Sequence, residues 1–203
     1  IPMAIATKLM AEACEALHHA HHATTTSGES LDLVHRDVCP QNLMVDWHGF
    51  LRVIDFAVAK SVESVEETEP GRIKGTFTYM APEQMDAGVI DPRTDVFSLG
   101  MTLYELLSLN KPREARSIIE AYQEVQEGRG CESIEHLAAV GPELDAIISR
   151  ATAINPDDRF QTAREFGEAL HALRKANSVI LLHCVSNYPS RYEEMNLGCL
   201  RGL

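Results

Sequence analysis

The sequence lacks the features that mark several classes of protein. Its 203 residues include 18 lysines and arginines against 30 acidic residues, and the net charge of −12 argues against nucleic acid or an anionic membrane as its main partner. No apolar stretch is long enough to span a bilayer, and no signal peptide is visible. The five cysteines are scattered and never form a Cys-x-x-Cys pair, which argues against a disulfide scaffold or a structural zinc site and favours a reducing cytoplasm.

What the chain does contain is typical of a globular domain that is mainly α-helical. Hydrophobic residues make up 45% of it and charged residues 24%. Apolar residues recur at helical spacing over residues 3–22 and again after residue 95. Two short apolar runs, residues 43–45 and 51–54, flank Asp-Trp-His-Gly and predict a β-hairpin. The later apolar stripes comprise Val96, Leu99, Leu103, Leu106 and Leu107; Ala115, Ile118, Ile119 and Tyr122; and Leu144, Ile147, Ile148 and Ala151.

A run of polar residues stands immediately before the predicted hairpin. Residues 35–42 read His-Arg-Asp-Val-Cys-Pro-Gln-Asn, and residues 55–57, directly after the hairpin, read Asp-Phe-Ala. Phosphoryl transfer needs a carboxylate that accepts the proton of the substrate hydroxyl, and oxygen ligands that hold magnesium on the phosphates. His-Arg-Asp-x-x-x-x-Asn, a hairpin and then Asp-Phe is the signature of protein kinases.

Residues 3–173 therefore resemble the C-terminal lobe of a bacterial Hanks-type (eukaryotic-like) serine/threonine protein kinase. Three further motifs carry the resemblance: Gly-Thr-Phe-Thr-Tyr-Met-Ala-Pro-Glu at 75–83, Asp-Val-Phe-Ser-Leu-Gly at 95–100 and Asn-Pro-Asp-Asp-Arg at 155–159. The resemblance implies a mainly α fold, a helical bundle with one small β-hairpin and without the N-terminal lobe. It also implies transfer of the ATP γ-phosphate to Ser or Thr hydroxyls of protein substrates, with Mg²⁺ as cofactor.

The resemblance assigns the catalytic and nucleotide-binding positions residue by residue. Asp37 matches the catalytic base, and Asn42 matches the ligand of the second magnesium ion. Asp55 matches the aspartate that chelates magnesium across the phosphates. Met44 joins Asn42 and Asp55 among the nucleotide-binding positions that the resemblance implies.

The resemblance also assigns regulatory and structural positions. Arg36 matches the arginine that pairs with a phosphorylated activation loop, a contact that a guanidinium makes bidentately. Thr76 belongs to the Gly-Thr start of the substrate-facing segment, residues 75–83, and is expected to reach the catalytic base. Asp95 matches the aspartate that braces the catalytic loop, and Arg159 matches the arginine that pairs with Glu83.

The chain departs from the family pattern in two positions and one region. Cys39 stands where the family usually has a lysine that contacts the transferred phosphate, and Ala57 replaces the glycine after Asp-Phe. No Gly-x-Gly-x-x-Gly loop occurs, and no lysine in a Val-Ala-Ile-Lys context precedes Asp37. We therefore expect a kinase fragment that lacks the N-terminal lobe and has doubtful activity alone. The alternative is a non-catalytic, pseudokinase-like remnant or binding module.

Four histidines cluster at the end of the first predicted helix, at positions 18, 19, 21 and 22. Two imidazoles one helical turn apart could hold a metal ion. A solvated or partly buried histidine cluster is the favoured interpretation, because the local pattern offers no further carboxylate or cysteine that completes a ligand set.

The end of the chain breaks the kinase pattern. Residues 178–189 resemble a barrel strand and loop of the N-acetylneuraminate (sialic acid) synthase family, and residues 193–197 resemble the helix that follows. One strand of an eight-stranded barrel cannot form an active site. The predicted division is a partial kinase domain over residues 1–175 and a tail over residues 176–203. Two alternatives are a fusion with a sialic acid synthase fragment and a chance apolar appendage.

Overall fold

The computed structural model describes residues 1–56, 77–115, 117–127, 133–134 and 140–175. Within these ranges the protein is mostly helical, with a single two-stranded sheet, as the hydrophobic periodicity predicts. The longer elements are α1 (Met3–His21), β1 (Leu43–Val45), β2 (Leu51–Val53), α2 (Pro82–Met85), α3 (Pro92–Ser108), α4 (Ile118–Gln126), α5 (Pro142–Ala151) and α6 (Ala163–Lys175). Short 3-10 turns cover Pro40–Asn42 and Pro156–Asp158.

The predicted β-hairpin is confirmed, and β2 ends one residue earlier than the apolar run. The strands are antiparallel, with Leu43 opposite Val53. The carboxylate of Asp46 accepts hydrogen bonds from the backbone N–H groups of His48 (2.9 Å) and Phe50 (3.1 Å). Gly49 has a φ of +81°, which a residue without a side chain adopts at no steric cost. The turn therefore forms because its Asp and Gly satisfy the geometry locally.

Helix α1 lies at the centre of the core, where it packs against α6, α3 and β2. Leu17 of α1 and Phe166 and Leu170 of α6 are completely buried. Burying one such side chain is worth roughly 1.5–3 kcal/mol. A Cβ added at Gly167 would lie 3.0 Å from the Cβ of Cys14, so glycine allows the close approach of the two helices. Much of the apolar face of α6 is thus buried in the kinase-like core.

The expected apolar stripe around α4 is confirmed except at Ile119, since Ala115, Ile118 and Tyr122 are half-buried. Ser117 caps this helix by accepting a hydrogen bond from the backbone N–H of Glu120 (3.1 Å), so the helix begins only at residue 118. Ala121 and Val125, one turn apart, are the buried positions, and Ile119 is 68% exposed. The buried face of α4 is therefore centred on Ala121 and Val125, and Ile119 lies outside it.

Several expectations lie outside the described residues. They concern residues 57–76, which include Ala57 and Thr76, and residues 176–203. Among the helices that the structure describes, none combines the length and the apolar character needed to cross a membrane.

Candidate active site

Asp95, at the start of α3, joins three parts of the chain. Its buried carboxylate accepts hydrogen bonds from the backbone N–H groups of His35 and Arg36, both at 2.8 Å. The Nε2 atom of His21, at the end of α1, lies 2.7 Å from the same carboxylate. Buried carboxylates are tolerated only when such donors surround them. Asp95 therefore holds the loop that precedes Asp37 against the helical core.

Two residues of the candidate site have a left-handed backbone conformation. Arg36 has a φ of +68° and Asp55 a φ of +59°. Such conformations cost about 1–3 kcal/mol each and persist where the surroundings impose them. The backbone of Arg36 is held on both sides, because its N–H donates to Asp95 and its C=O accepts from Nε2 of Gln84 (2.8 Å). The side chain of Arg36 is exposed beside the loop.

His35 connects the loop to the segment that carries Asp55. The backbone N–H of Asp37 lies 3.3 Å from Nδ1 of His35, so Nδ1 accepts and Nε2 carries the proton. Nε2 then donates to the backbone oxygen of Ile54 at 2.9 Å. The His35 ring also packs on Phe56, with ring centroids 4.5 Å apart. Both neighbours of Asp55 are thereby held against the loop.

Asn42 links the same two segments from the other side. Its Nδ2 donates to the backbone oxygen of Asp37 at 2.7 Å, which leaves Oδ1 as the atom that can bind a cation. Its backbone oxygen accepts from the N–H of Ile54 at 3.0 Å. Asp37, Asn42 and Asp55 are therefore brought together at one end of the hairpin. Met44, on β1, is 53% exposed.

Residues 77–83, the described part of the segment that the resemblance predicts to face the substrate, are anchored to α3 and to the loop after it. Ser98 donates to the backbone oxygen of Tyr79 (2.9 Å), and the Tyr79 hydroxyl donates to Glu105. Burial raises the pKa of the Tyr79 phenol well above its usual range, and the bond to and charge of Glu105 act in the same direction. Nη2 of the buried Arg113 donates to the backbone oxygen of Met80 at 2.6 Å. These contacts fix the shape of the segment.

A buried ion pair holds Glu83, the last residue of this segment. Arg159 contacts Glu83 through two parallel hydrogen bonds of 2.7 and 2.9 Å. Thr94 donates to Glu83 at 2.8 Å. The guanidinium of Arg159 also donates hydrogen bonds to the backbone oxygens of Ala153 (2.7 Å) and Ile154 (3.0 Å). A bidentate geometry with every charge hydrogen bonded is the condition under which a buried pair is tolerated.

Cys39 is buried beneath the substrate-facing segment. It belongs to an apolar cluster with Tyr79, Ala81, Phe97 and Met101. The position where the family usually has a lysine therefore contributes an apolar contact to this cluster.

Several residues of this arrangement were missed by the sequence reasoning, including Thr94, Arg113, His21 and Gln84. His21 reaches Asp95, although it was considered only as part of the histidine cluster. Gln84 bridges the backbone of Arg36 and the N–H of Ala81 (2.9 Å). Its position directly after the Ala-Pro-Glu motif is the only local signal that could have indicated a role.

Comparison with known proteins gives two family matches and several bacterial relatives. The model of the protein kinase domain matches residues 1–171, and that of the NeuB family matches residues 159–203. The chain is 35% identical over 170 residues to the tyrosine-protein kinase MasK of Myxococcus xanthus, covering 84% of this chain and 26% of that protein.

Two mycobacterial proteins are similarly related. The serine/threonine-protein kinase PknB of Mycolicibacterium smegmatis is 38% identical over 163 residues, 79% of this chain and 25% of that protein. The serine/threonine-protein kinase PknL of Mycobacterium tuberculosis is 38% identical over 144 residues, 70% of this chain and 35% of that protein. The chain thus spans about a quarter to a third of the length of these relatives. It belongs to the protein kinase family, as a bacterial Hanks-type member whose C-terminal end resembles the NeuB, or sialic acid synthase, family.

Proposed function

We propose that the chain is the C-terminal lobe of a protein kinase that transfers the γ-phosphate of Mg²⁺-ATP to serine or threonine hydroxyls of protein substrates. The observation that carries the proposal is the joint anchoring of Asp37, Asn42 and Asp55 by His35 and by backbone hydrogen bonds. The Gly-Thr start of the substrate-facing segment and the names of PknB and PknL support serine/threonine specificity. The name of MasK makes tyrosine the alternative acceptor.

In this proposal each residue has a defined task. The carboxylate of Asp37 accepts the proton of the attacking hydroxyl. The oxygens of Asn42 and Asp55 are hard ligands of the type that Mg²⁺ prefers, and the bound ion neutralises phosphate charge. The exposed guanidinium of Arg36 can pair with a phosphorylated hydroxyl of the activation loop. Met44 offers an exposed apolar contact to the nucleotide base.

We expect the chain by itself to bind Mg²⁺-ATP no more tightly than the millimolar range. The glycine-rich loop and the anchoring lysine that cover ATP in the family do not occur in this sequence, so most of the positioning is lost. Isothermal titration calorimetry of the chain with Mg²⁺-ATP measures this directly. Micromolar affinity would show that the chain binds the nucleotide without a second lobe.

The kinase proposal itself is tested with a protein in which a kinase N-terminal lobe precedes the chain. This protein is expected to phosphorylate protein substrates, with phosphoserine or phosphothreonine as products in phosphoamino acid analysis. Phosphotyrosine as the product would instead assign tyrosine specificity to this chain, in line with the name of MasK. Binding of Mg²⁺-ATP without phosphate transfer would overturn the catalytic proposal in favour of a non-catalytic binding module.

In the same protein, Cys39→Lys is expected to raise kcat more than it changes the affinity for ATP. A lysine stem can occupy the apolar cluster around Cys39 while its ammonium group extends towards the transferred phosphate. One preorganised charge of this kind is worth roughly 3–4 kcal/mol in the transition state, and a part of that gain is expected here. Cys39→Ala is the matched control without a charge. An unchanged kcat in Cys39→Lys would mean that another cation already contacts the transferred phosphate.

We further propose that the kinase-like lobe ends near residue 175 and that residues 176–203 form a separate tail. Phe166 and Leu170 of α6 are completely buried in the kinase-like core, so this helix closes the lobe. A chain that ends at residue 175 is expected to keep its melting temperature and to become more soluble, because it lacks the apolar run of residues 179–182, whose residue types favour strand formation and aggregation. A drop of several degrees, equivalent to about 1 kcal/mol or more, would place the tail in the core.

A further inference from the structure

The end of α1 carries four histidines, and the fold gives them different environments. His21 is buried and its ring lies against Asp95. His19 is exposed, with Nε2 4.0 Å from the carboxylate of Glu15. His18 and His22 lie one helical turn apart on the same face of the helix, and their ring centroids are 4.2 Å apart with an angle of 42° between the planes. The structure thus places His18 and His22 side by side, in an environment different from those of His19 and His21.

The ring of His22 is fixed in a state that can bind a metal ion. Its Nδ1 lies 2.9 Å from the backbone oxygen of His18. A carbonyl oxygen only accepts hydrogen bonds, so Nδ1 carries the proton and Nε2 presents its lone pair. Metal-binding histidines commonly have this arrangement, in which one ring nitrogen donates to a backbone carbonyl while the other binds the metal. The side chain of His22 is exposed, so Nε2 is accessible.

His18, the second histidine of the pair, is partly buried. Its Nδ1 is buried and has no hydrogen-bond partner among the residues that the structure describes. Because Nδ1 is enclosed, Nε2 is the ring atom of His18 that can reach an ion shared with His22.

We propose that His18 and His22 form a two-histidine site for a divalent late transition-metal ion such as Zn²⁺ or Ni²⁺. Imidazole nitrogens suit these ions, whereas Mg²⁺ prefers oxygen ligands. Within the described ranges no group of three or more His, Cys, Asp or Glu side chains is arranged to hold a metal ion, so water completes the coordination. The site is separate from the proposed magnesium ligands Asn42 and Asp55.

Binding at this pair is expected to stabilise the last turn of α1. A ligand that binds the folded state but not the unfolded one raises the melting temperature. A metal ion joining residues 18 and 22 spans the turn that also carries His21, which holds Asp95 and through it the loop before Asp37. Metal binding and the order of this loop therefore both depend on the last turn of α1.

The experiment is isothermal titration calorimetry of the whole chain with Zn²⁺ and, separately, with Mg²⁺ at neutral pH. His22→Gln removes an exposed ligand without disturbing the core and is expected to weaken Zn²⁺ binding at the pair at least roughly tenfold. His18→Gln is expected to have the same effect. His19→Gln and His48→Gln remove exposed histidines outside the pair and are the matched controls.

Two measurements decide the outcome. The wild-type chain and both controls are expected to gain thermal stability with Zn²⁺, whereas the His22→Gln chain gains less and binds one metal ion fewer. Circular dichroism of each variant without metal shows whether its fold is kept. Identical Zn²⁺ titrations for the wild type and His22→Gln would overturn the site, and so would an equal loss in His19→Gln.

Discussion

Replacing Asp37 by Asn, in a protein where a kinase N-terminal lobe precedes this chain, is expected to lower kcat by roughly two to four orders of magnitude. The amide keeps the size of the side chain but cannot accept the proton of the attacking hydroxyl. The backbone oxygen of Asp37 still accepts the hydrogen bond from Asn42, so the loop keeps its shape. The affinity for Mg²⁺-ATP is therefore expected to change little. Steady-state kinetics and calorimetry of the same preparation measure both quantities.

Asp55→Asn is the contrasting variant. Its carboxylate is proposed to bind Mg²⁺, so its loss is expected to weaken Mg²⁺-dependent ATP binding as well as turnover. Glu168→Gln, an exposed acidic position on α6, is the control for a change of one charge. If Asp37→Asn and Asp55→Asn lost turnover and nucleotide affinity to the same extent, the two roles would be misassigned.

Arg159→Leu is expected to destabilise the fold by about 3–5 kcal/mol. The substitution leaves the carboxylate of Glu83 buried, with the hydroxyl of Thr94 as its remaining described donor. An unpaired charge in the interior costs more than the ion pair contributes, because it keeps its desolvation penalty and loses its partner. For a chain of this length the loss corresponds to a melting temperature lower by roughly 6–20 °C.

Two comparisons separate this effect from a general loss of charge. Arg52→Gln removes a guanidinium whose side chain is 69% exposed and pairs with Asp46, and it is expected to cost less than about 1 kcal/mol. The double variant Glu83→Leu/Arg159→Leu removes both charges and is expected to be more stable than Arg159→Leu alone. A destabilisation by Arg159→Leu no larger than that by Arg52→Gln would mean that water enters and solvates Glu83.

Much of the local structure followed from the sequence because it depends on near neighbours. Asp46 and Gly49 determine the hairpin turn through bonds within five residues. Pro142, after Gly141, marks the start of α5, as its position predicts. The prediction failed for Ile119, because the face of α4 that packs on the core is centred on Ala121 and Val125 and Ile119 lies outside it.

The candidate site was likewise predictable from the sequence only in part. The motifs located Asp37, Asn42 and Asp55 along the chain, since the spacing of residue types is a property of the sequence. The contacts that hold them could not be predicted in this way: His21 meets Asp95 across 74 residues, and Gln84 meets Arg36 across 48.

By itself, the sequence determined the helical pattern, the hairpin and the order of the kinase motifs, because each depends on residue types at short and regular spacing. Only the tertiary structure decided which of the four clustered histidines is buried and which two pair at the surface. It also decided that Arg36 adopts a positive φ, a conformation in which its backbone is hydrogen bonded by both Asp95 and Gln84. A buried polar group needs a partner, and the fold brings that partner from a distant part of the chain.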